Sequence, residues 1–207
     1  DSASRGLGDV YKRQEDGHIL YQDTRNDTTG LDRLGLWYSH GLPEQTSWSY
    51  RKAVGDYAFA PVISVSEISD EDVIVASWGE GYDQSSELVT MVVDSSFSPI
   101  GEGEVRTASR GLGYIQLLET ARGVQLFFDF VGPSGPQMQY GMIDPEEGWI
   151  GISDRLGLGR IVISSRSPID TDAVILQTSP TGWQIRALVD DSSPEASKGT
   201  ILDQIRG

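Results

Sequence analysis

The side chains of this chain that could do chemistry cluster at the ends of short apolar runs. Asp23 closes HILYQ, Trp78 closes VIVAS and Asp129 closes VQLFF. Glu80, Tyr82 and Asp83 follow within five residues of Trp78, and Arg110 and Arg155 precede later runs. Rings beside carboxylates and arginines suit sugars: a ring face stacks on an apolar sugar face while charged groups bond the hydroxyls. Trp78 reads either as such a platform or as a ring packed between structural repeats. Asp23 and Asp129 are the carboxylate pair that glycoside hydrolysis would need, although 31 acidic residues leave many other pairs. Asp23, Asn26, Asp27 and Asp32 around Gly30 form an oxygen-rich loop of the kind calcium takes, without the EF-hand spacing. Asp144, Glu146 and Glu147 read as a solvated hairpin tip.

Other chemistries have little material. There is no cysteine, so disulfides, thiolate metal sites and cysteine nucleophiles are excluded. Only His18 and His40 are available for a histidine-based zinc site or triad, and both read as strand or surface residues. The two GLG pieces, Gly111–Gly113 and Gly157–Gly159, lack the lysine and the strand-loop-helix setting of a phosphate loop and read as tight turns. The 207 residues carry 16 basic and 31 acidic side chains, a net charge of −15. That sign repels nucleic acid and anionic membranes. No apolar run reaches the roughly 20 residues needed to cross a bilayer as a helix.

Ser4–Gln14, SRGLGDVYKRQ, resembles the translation of an adapter used in transposase-based sequencing libraries. Residues 1–14 are therefore set aside as an artefact. The natural chain is expected to start near Glu15 as a piece truncated upstream. Without residues 1–14 three basic and two acidic side chains go, and the remainder is more acidic still.

The elements that must position these side chains are strands. Apolar bursts of five to eight residues, rich in Val, Ile, Phe, Tyr and Trp, alternate with Gly, Pro, Ser and Asp. Four of them start near residues 17, 72, 123 and 172, a period close to fifty residues. A strand-like segment precedes three of these runs, from Pro61, Tyr114 and Arg160. Another follows all four, from Leu34, Glu87, Gln137 and Trp183. More polar fourth segments begin near Ser47, Gly103 and Gly148, and Glu195–Ile205 is a weak helix candidate. Four strands per unit predict an all-β fold: a partial β-propeller over 15–207, with three to four four-stranded antiparallel blades. A β-sandwich would also give frequent strands but does not call for this four-part repeat.

The first unit, from His18 to Val54, resembles the BNR or sialidase-like propeller repeat. That repeat joins its third and fourth strands through an Asp box, S-x-D-x-G-x-T-W. Here the hairpin keeps Ser39, Thr46 and Trp48 while lacking the aspartate and the spacing, and Gly148-Trp149 offers an equivalent aromatic later. The resemblance implies a secreted or surface-displayed binding module for a glycan or protein. It also leaves open a fragment of a propeller glycoside hydrolase and, third, a structural domain of a larger surface protein. The arginine cluster and tyrosine nucleophile of sialidases have no matching positions, so no catalytic residue carries over. No cofactor is expected, apart from calcium at Asp23, Asn26, Asp27 and Asp32. The expected ligand-binding residues are Asp23, Trp78, Glu80, Tyr82, Asp129, Arg110 and Arg155.

Overall fold

Short β-rich runs separated by turn residues fold into antiparallel meanders. A computed structural model describes residues 17–23, 35–42, 49–54, 57–81, 86–108, 110–120, 123–166, 173–179, 182–188 and 200–205. These residues are all-β, with no helix among them. Sheet 1 holds β1 (Gly17–Asp23), β2 (Gly35–Gly41) and β3 (Ser49–Val54). Sheet 2 holds β4 (Ala58–Ile68), β5 (Glu71–Glu80), β6 (Glu87–Asp94) and β7 (Pro99–Ala108). Sheet 3 follows with β8 (Ile115–Thr120), β9 (Gly123–Gly132), β10 (Gly135–Asp144) and β11 (Trp149–Leu158). In sheet 4 lie β12 (Arg160–Arg166), β13 (Ala173–Ser179), β14 (Gly182–Leu188) and β15 (Thr200–Ile205). Strands neighbour one another in chain order in every sheet, and every pairing is antiparallel.

The four expected apolar runs are β1, β5, β9 and β13. The segments before, after and last in each unit are the remaining strands, with one exception. The helix candidate Glu195–Ile205 is corrected over its described part, residues 200–205, which are β15, paired with β14 through Arg186↔Ile201 and Ala187↔Thr200; residues 195–199 lie outside the described residues. An isolated helix of that length is marginal in water, whereas the open edge of β14 offers ladder partners to all of these residues but Leu202, which sits at a register shift.

Turn chemistry sets the hairpins. Between β4 and β5, Ser69 and Asp70 both have positive φ, 54° and 65°, with Ile68 and Glu71 paired on either side. That is the pattern of a two-residue type I′ turn, whose twist matches the strands it joins.

Side-chain alternation gives sheet 2 two apolar faces. Ile74, Ala76 and Trp78 of β5 pack with Leu36 and Tyr38 of sheet 1, all with at most 1% exposure. Val73 and Val75 pack instead with Ile115, Leu117, Leu126 and Phe128 of sheet 3. The apolar run Val73–Ala76 of β5 thus follows from burial on both sides. On its other face sheet 3 presents Phe127 and Met138, with Tyr114, Leu118 and Tyr140 against them. The sheets are therefore stacked face to face in chain order where the described side chains meet.

Sheets 2 and 3 also touch through bare backbone. Gly148 in the β10–β11 turn has φ 67°, and a Cβ placed there would lie 2.7 Å from the Ile100 carbonyl oxygen and 2.8 Å from Gly101 Cα. Gly101 also has φ 67°, and its Cβ would meet the Glu147 carbonyl oxygen at 2.6 Å. Gly148→Ala combines left-handed strain, about 1–2 kcal/mol, with forced separation of two backbones. The expected loss of unfolding free energy is about 3 kcal/mol by urea denaturation. Gly101→Ala/Gly148→Ala together should cost clearly less than the sum of the single changes, because both report one contact.

Candidate functional site

The C-terminal ends of β1, β5 and β9 share one end of the stack with the starts of β4, β8 and β12, as the order of the meanders requires. Glu80 stands at this end, opposite Ala58 of β4 and Glu87 of β6. Arg106 of β7 joins it: Nη2 donates to Glu80 Oε2 at 3.1 Å, Nη1 to Glu87 Oε2 at 3.1 Å, and Nε to Glu104. Partial burial works against the Arg106 charge. The hydrogen bonds from Glu104 and Glu87 and the charge of Glu80 outweigh it, and hold the guanidinium above its ordinary range. Because the Arg106 side chain is 39% exposed, each surface pair contributes well under about 1 kcal/mol.

Trp78 is buried in this structure. Its ring has no exposed surface, lies in the seam between sheets 1 and 2, and places Nε1 3.5 Å from Glu80 Oε2. A sugar cannot reach it in this conformation. The alternative reading, a ring packed between repeats, describes it.

Asp129 is also engaged inside the protein. Its carboxylate is 1% exposed and accepts from Arg160 Nη1 at 2.5 Å, linking β9 of sheet 3 to β12 of sheet 4. The backbone holds it on both sides: Asp129 N–H donates to the Tyr114 carbonyl at 3.1 Å and Gly113 N–H to the Asp129 carbonyl at 3.0 Å. A Cβ on Gly113 would lie 2.5 Å from both Arg160 Nη1 and Asp129 Oδ1, so the second glycine of the first GLG turn makes room for the ion pair. Asp129 is thus buried and bonded across the seam of sheets 3 and 4.

The remaining expected residues are dispersed. Arg110 is exposed, and its carbonyl accepts from Val131 N–H at 2.6 Å. Arg155 lies on β11 opposite Gln139 in register, and Asp23 ends β1 opposite Gly35; their side chains lie outside the described residues. Tyr82, Asn26, Asp27 and Asp32 lie outside them altogether, as do residues 1–14 and the 43–48 part of the Asp-box-like hairpin. Among the described residues no group of three or more His, Asp or Glu side chains is arranged to hold a metal ion.

Two features at the opposite end of the stack were not among the expected site residues. Trp149, the first residue of β11, is 47% exposed, and its six-membered ring lies against Gly151, two residues on along the same face. Beside it the turn is fixed by Asp144, whose Oδ1 accepts from the N–H groups of Glu146 at 2.9 Å and Glu147 at 3.2 Å. The Glu146 and Glu147 side chains are exposed on that turn. The sequence signal was the Gly148-Trp149 pair, read there for its likeness to a repeat rather than for its exposure.

The second feature is a buried polar chain. His18 and His40 sit directly opposite each other on β1 and β2, with stacked rings 6.2 Å apart. His18 Nε2 lies 3.0 Å from Asp72 Oδ2 and Nδ1 lies 2.7 Å from Tyr38 Oη, while Tyr38 O–H donates to the Ser95 carbonyl at 3.2 Å. No single-strand pattern could signal this cluster, since its members are up to 77 residues apart and meet only through sheet stacking.

Comparison with protein families, with curated proteins and with solved structures finds no match.

Proposed function

We propose that this chain is part of a β-propeller that serves as a binding module for a glycan, secreted or displayed on a cell surface. The four-part meander, repeated in order and stacked face to face, supports the propeller reading. Trp149 carries the binding reading. One side of its ring is braced on the Gly151 backbone, the side chain is 47% exposed, and the carboxylates of Glu146 and Glu147 are presented on the adjoining turn. An aromatic plane next to exposed hydrogen-bond acceptors is complementary to a sugar, whose apolar face stacks while its hydroxyls donate. Of the two acids first considered for glycoside hydrolysis, Asp23 and Asp129, Asp129 is committed to Arg160, which favours binding over cleavage.

Trp149→Ala is expected to weaken glycan binding at least about tenfold, equivalent to about 1.4 kcal/mol, while leaving the unfolding midpoint within experimental error. Trp149→Phe should retain part of the affinity. A glycan array followed by titration of the best ligand by NMR checks both. No binding across the array, or binding indifferent to Trp149, would defeat this reading. Turnover of a fluorogenic glycoside would instead favour the hydrolase alternative.

A further inference from the structure

A neutral phenol has one proton to donate, and the Tyr38 hydroxyl faces two acceptor positions. It lies 2.7 Å from His18 Nδ1 and 3.2 Å from the Ser95 carbonyl oxygen. The other ring nitrogen, Nε2, faces the Asp72 carboxylate, which when ionised only accepts, so Nε2 carries a proton. Everything then depends on Nδ1. With a proton there, His18 donates to both neighbours, and the Tyr38 hydroxyl is free to donate to Ser95. Without it, Nδ1 is a bare lone pair that takes the hydroxyl proton, and Ser95 loses its bond from Tyr38.

We propose that Asp72, His18 and Tyr38 form a one-proton latch that ties sheet 1 to the β6–β7 turn of sheet 2, engaged when both His18 nitrogens are protonated and released at Ser95 when Nδ1 gives its proton to solvent. The three residues come from β5, β1 and β2, so the latch spans two sheets. Its His18 side chain is 2% exposed, which places the proton inside the seam and makes the hydrogen-bond partners decisive. The turn it holds is under strain: Phe97 is buried with φ 56°, its ring 4.8 Å from that of Tyr38. Phe97 N–H donates to the Asp94 carbonyl at 2.8 Å, and Ser98 N–H to Asp94 Oδ1 at 2.8 Å. Release of Ser95 therefore loosens a turn whose conformation needs support.

The other ionisable groups around the imidazole are placed by the same elements. His40 stacks on His18 from β2, and Arg51 of β3 is the register partner of Tyr38. Glu67 of β4 lies across the ladder from Asp72, with Glu71 next to it on β5, and Asp94 stands at the root of the turn. His18 bonds both Asp72 and the hydroxyl that reaches Ser95.

Amide hydrogen exchange at Phe97 and Ser98, corrected for the intrinsic pH dependence of exchange, tests the latch over about pH 5.5 to 8, where imidazoles exchange their proton. Protection at both amides should fall roughly two- to tenfold as pH rises, the loss of one hydrogen bond. His18→Gln and Tyr38→Phe should each abolish this step, whereas His40→Gln should keep it. In Tyr38→Phe, ¹⁵N NMR of the His18 ring nitrogens follows the imidazole proton separately from the turn. Protection that does not change with pH in the natural protein, or a step that survives in Tyr38→Phe or vanishes in His40→Gln alone, would overturn the proposal. Should His18→Gln fail to fold, Tyr38→Phe decides.

Discussion

Trp78→Ala is expected to lower the free energy of unfolding by about 4 kcal/mol, in the range for deleting a fully buried large aromatic side chain. The ring has no exposed surface and belongs to the core cluster that holds Leu36 and Tyr38 of sheet 1 together with Ala76 and Val89 of sheet 2. Both sheets line the space that the substitution would leave, so its cost includes lost contact across the seam as well as lost transfer energy. β-Strand neighbours cannot collapse into the gap without breaking the ladders of β5 with β4 and β6. Trp78→Phe fills most of the volume and, with Nε1 at 3.5 Å from Glu80, gives up only a long hydrogen bond. It should cost about 1–2 kcal/mol. Urea denaturation with an unchanged m-value would read both as stability effects. A loss below about 1 kcal/mol for the alanine variant would mean that the seam between sheets 1 and 2 does not hold the fold together. In this arrangement Trp78 affects a ligand only by unfolding the protein, and Trp149 affects a ligand without unfolding it. The two tryptophans thus separate core from platform in one pair of experiments.

Strand positions were legible because their signals are local. Runs such as VIVAS before Trp78 and VQLFF before Asp129 announce strands by composition, and the fifty-residue spacing groups them into four-stranded units. Side-chain roles were less legible, since they depend on which face meets which sheet. Trp78 has a glutamate two residues on and a tyrosine four residues on, and in sequence that looks like a ligand surface. Its face of β5 meets Leu36 and Tyr38 instead. Asp129 follows two phenylalanines, and only the position of Arg160 in the next sheet explains a carboxylate buried there. β15 was obscured because the β-branched Thr200, Ile201 and Ile205 are interrupted by Asp203 and Gln204 and follow the helix-compatible Glu195–Lys198, so that pairing with β14 decides the conformation. His18 had no local signal at all, for its partners Asp72 and Tyr38, and Ser95 that Tyr38 bonds in turn, come from three other parts of the chain.

The link between sheets 3 and 4 should answer unequally to removal of its two ends. Arg160→Met leaves the Asp129 carboxylate, 1% exposed, without its cation, and the expected loss is about 3–5 kcal/mol. Asp129→Asn leaves a guanidinium that is 39% exposed and can turn to water, while the amide oxygen still accepts. Here the loss should be about 1–2 kcal/mol. The asymmetry follows from desolvation: the penalty falls on whichever charge stays buried. Combining Arg160→Met with Asp129→Asn should therefore recover part of the stability lost in Arg160→Met, the reverse of two independent defects. Denaturation of the two single variants and the double variant measures the coupling directly. Equal losses in the single variants, or a strictly additive double variant, would mean that Asp129 reaches water when Arg160 is removed, and that the interface of sheets 3 and 4 opens at this point rather than sealing it.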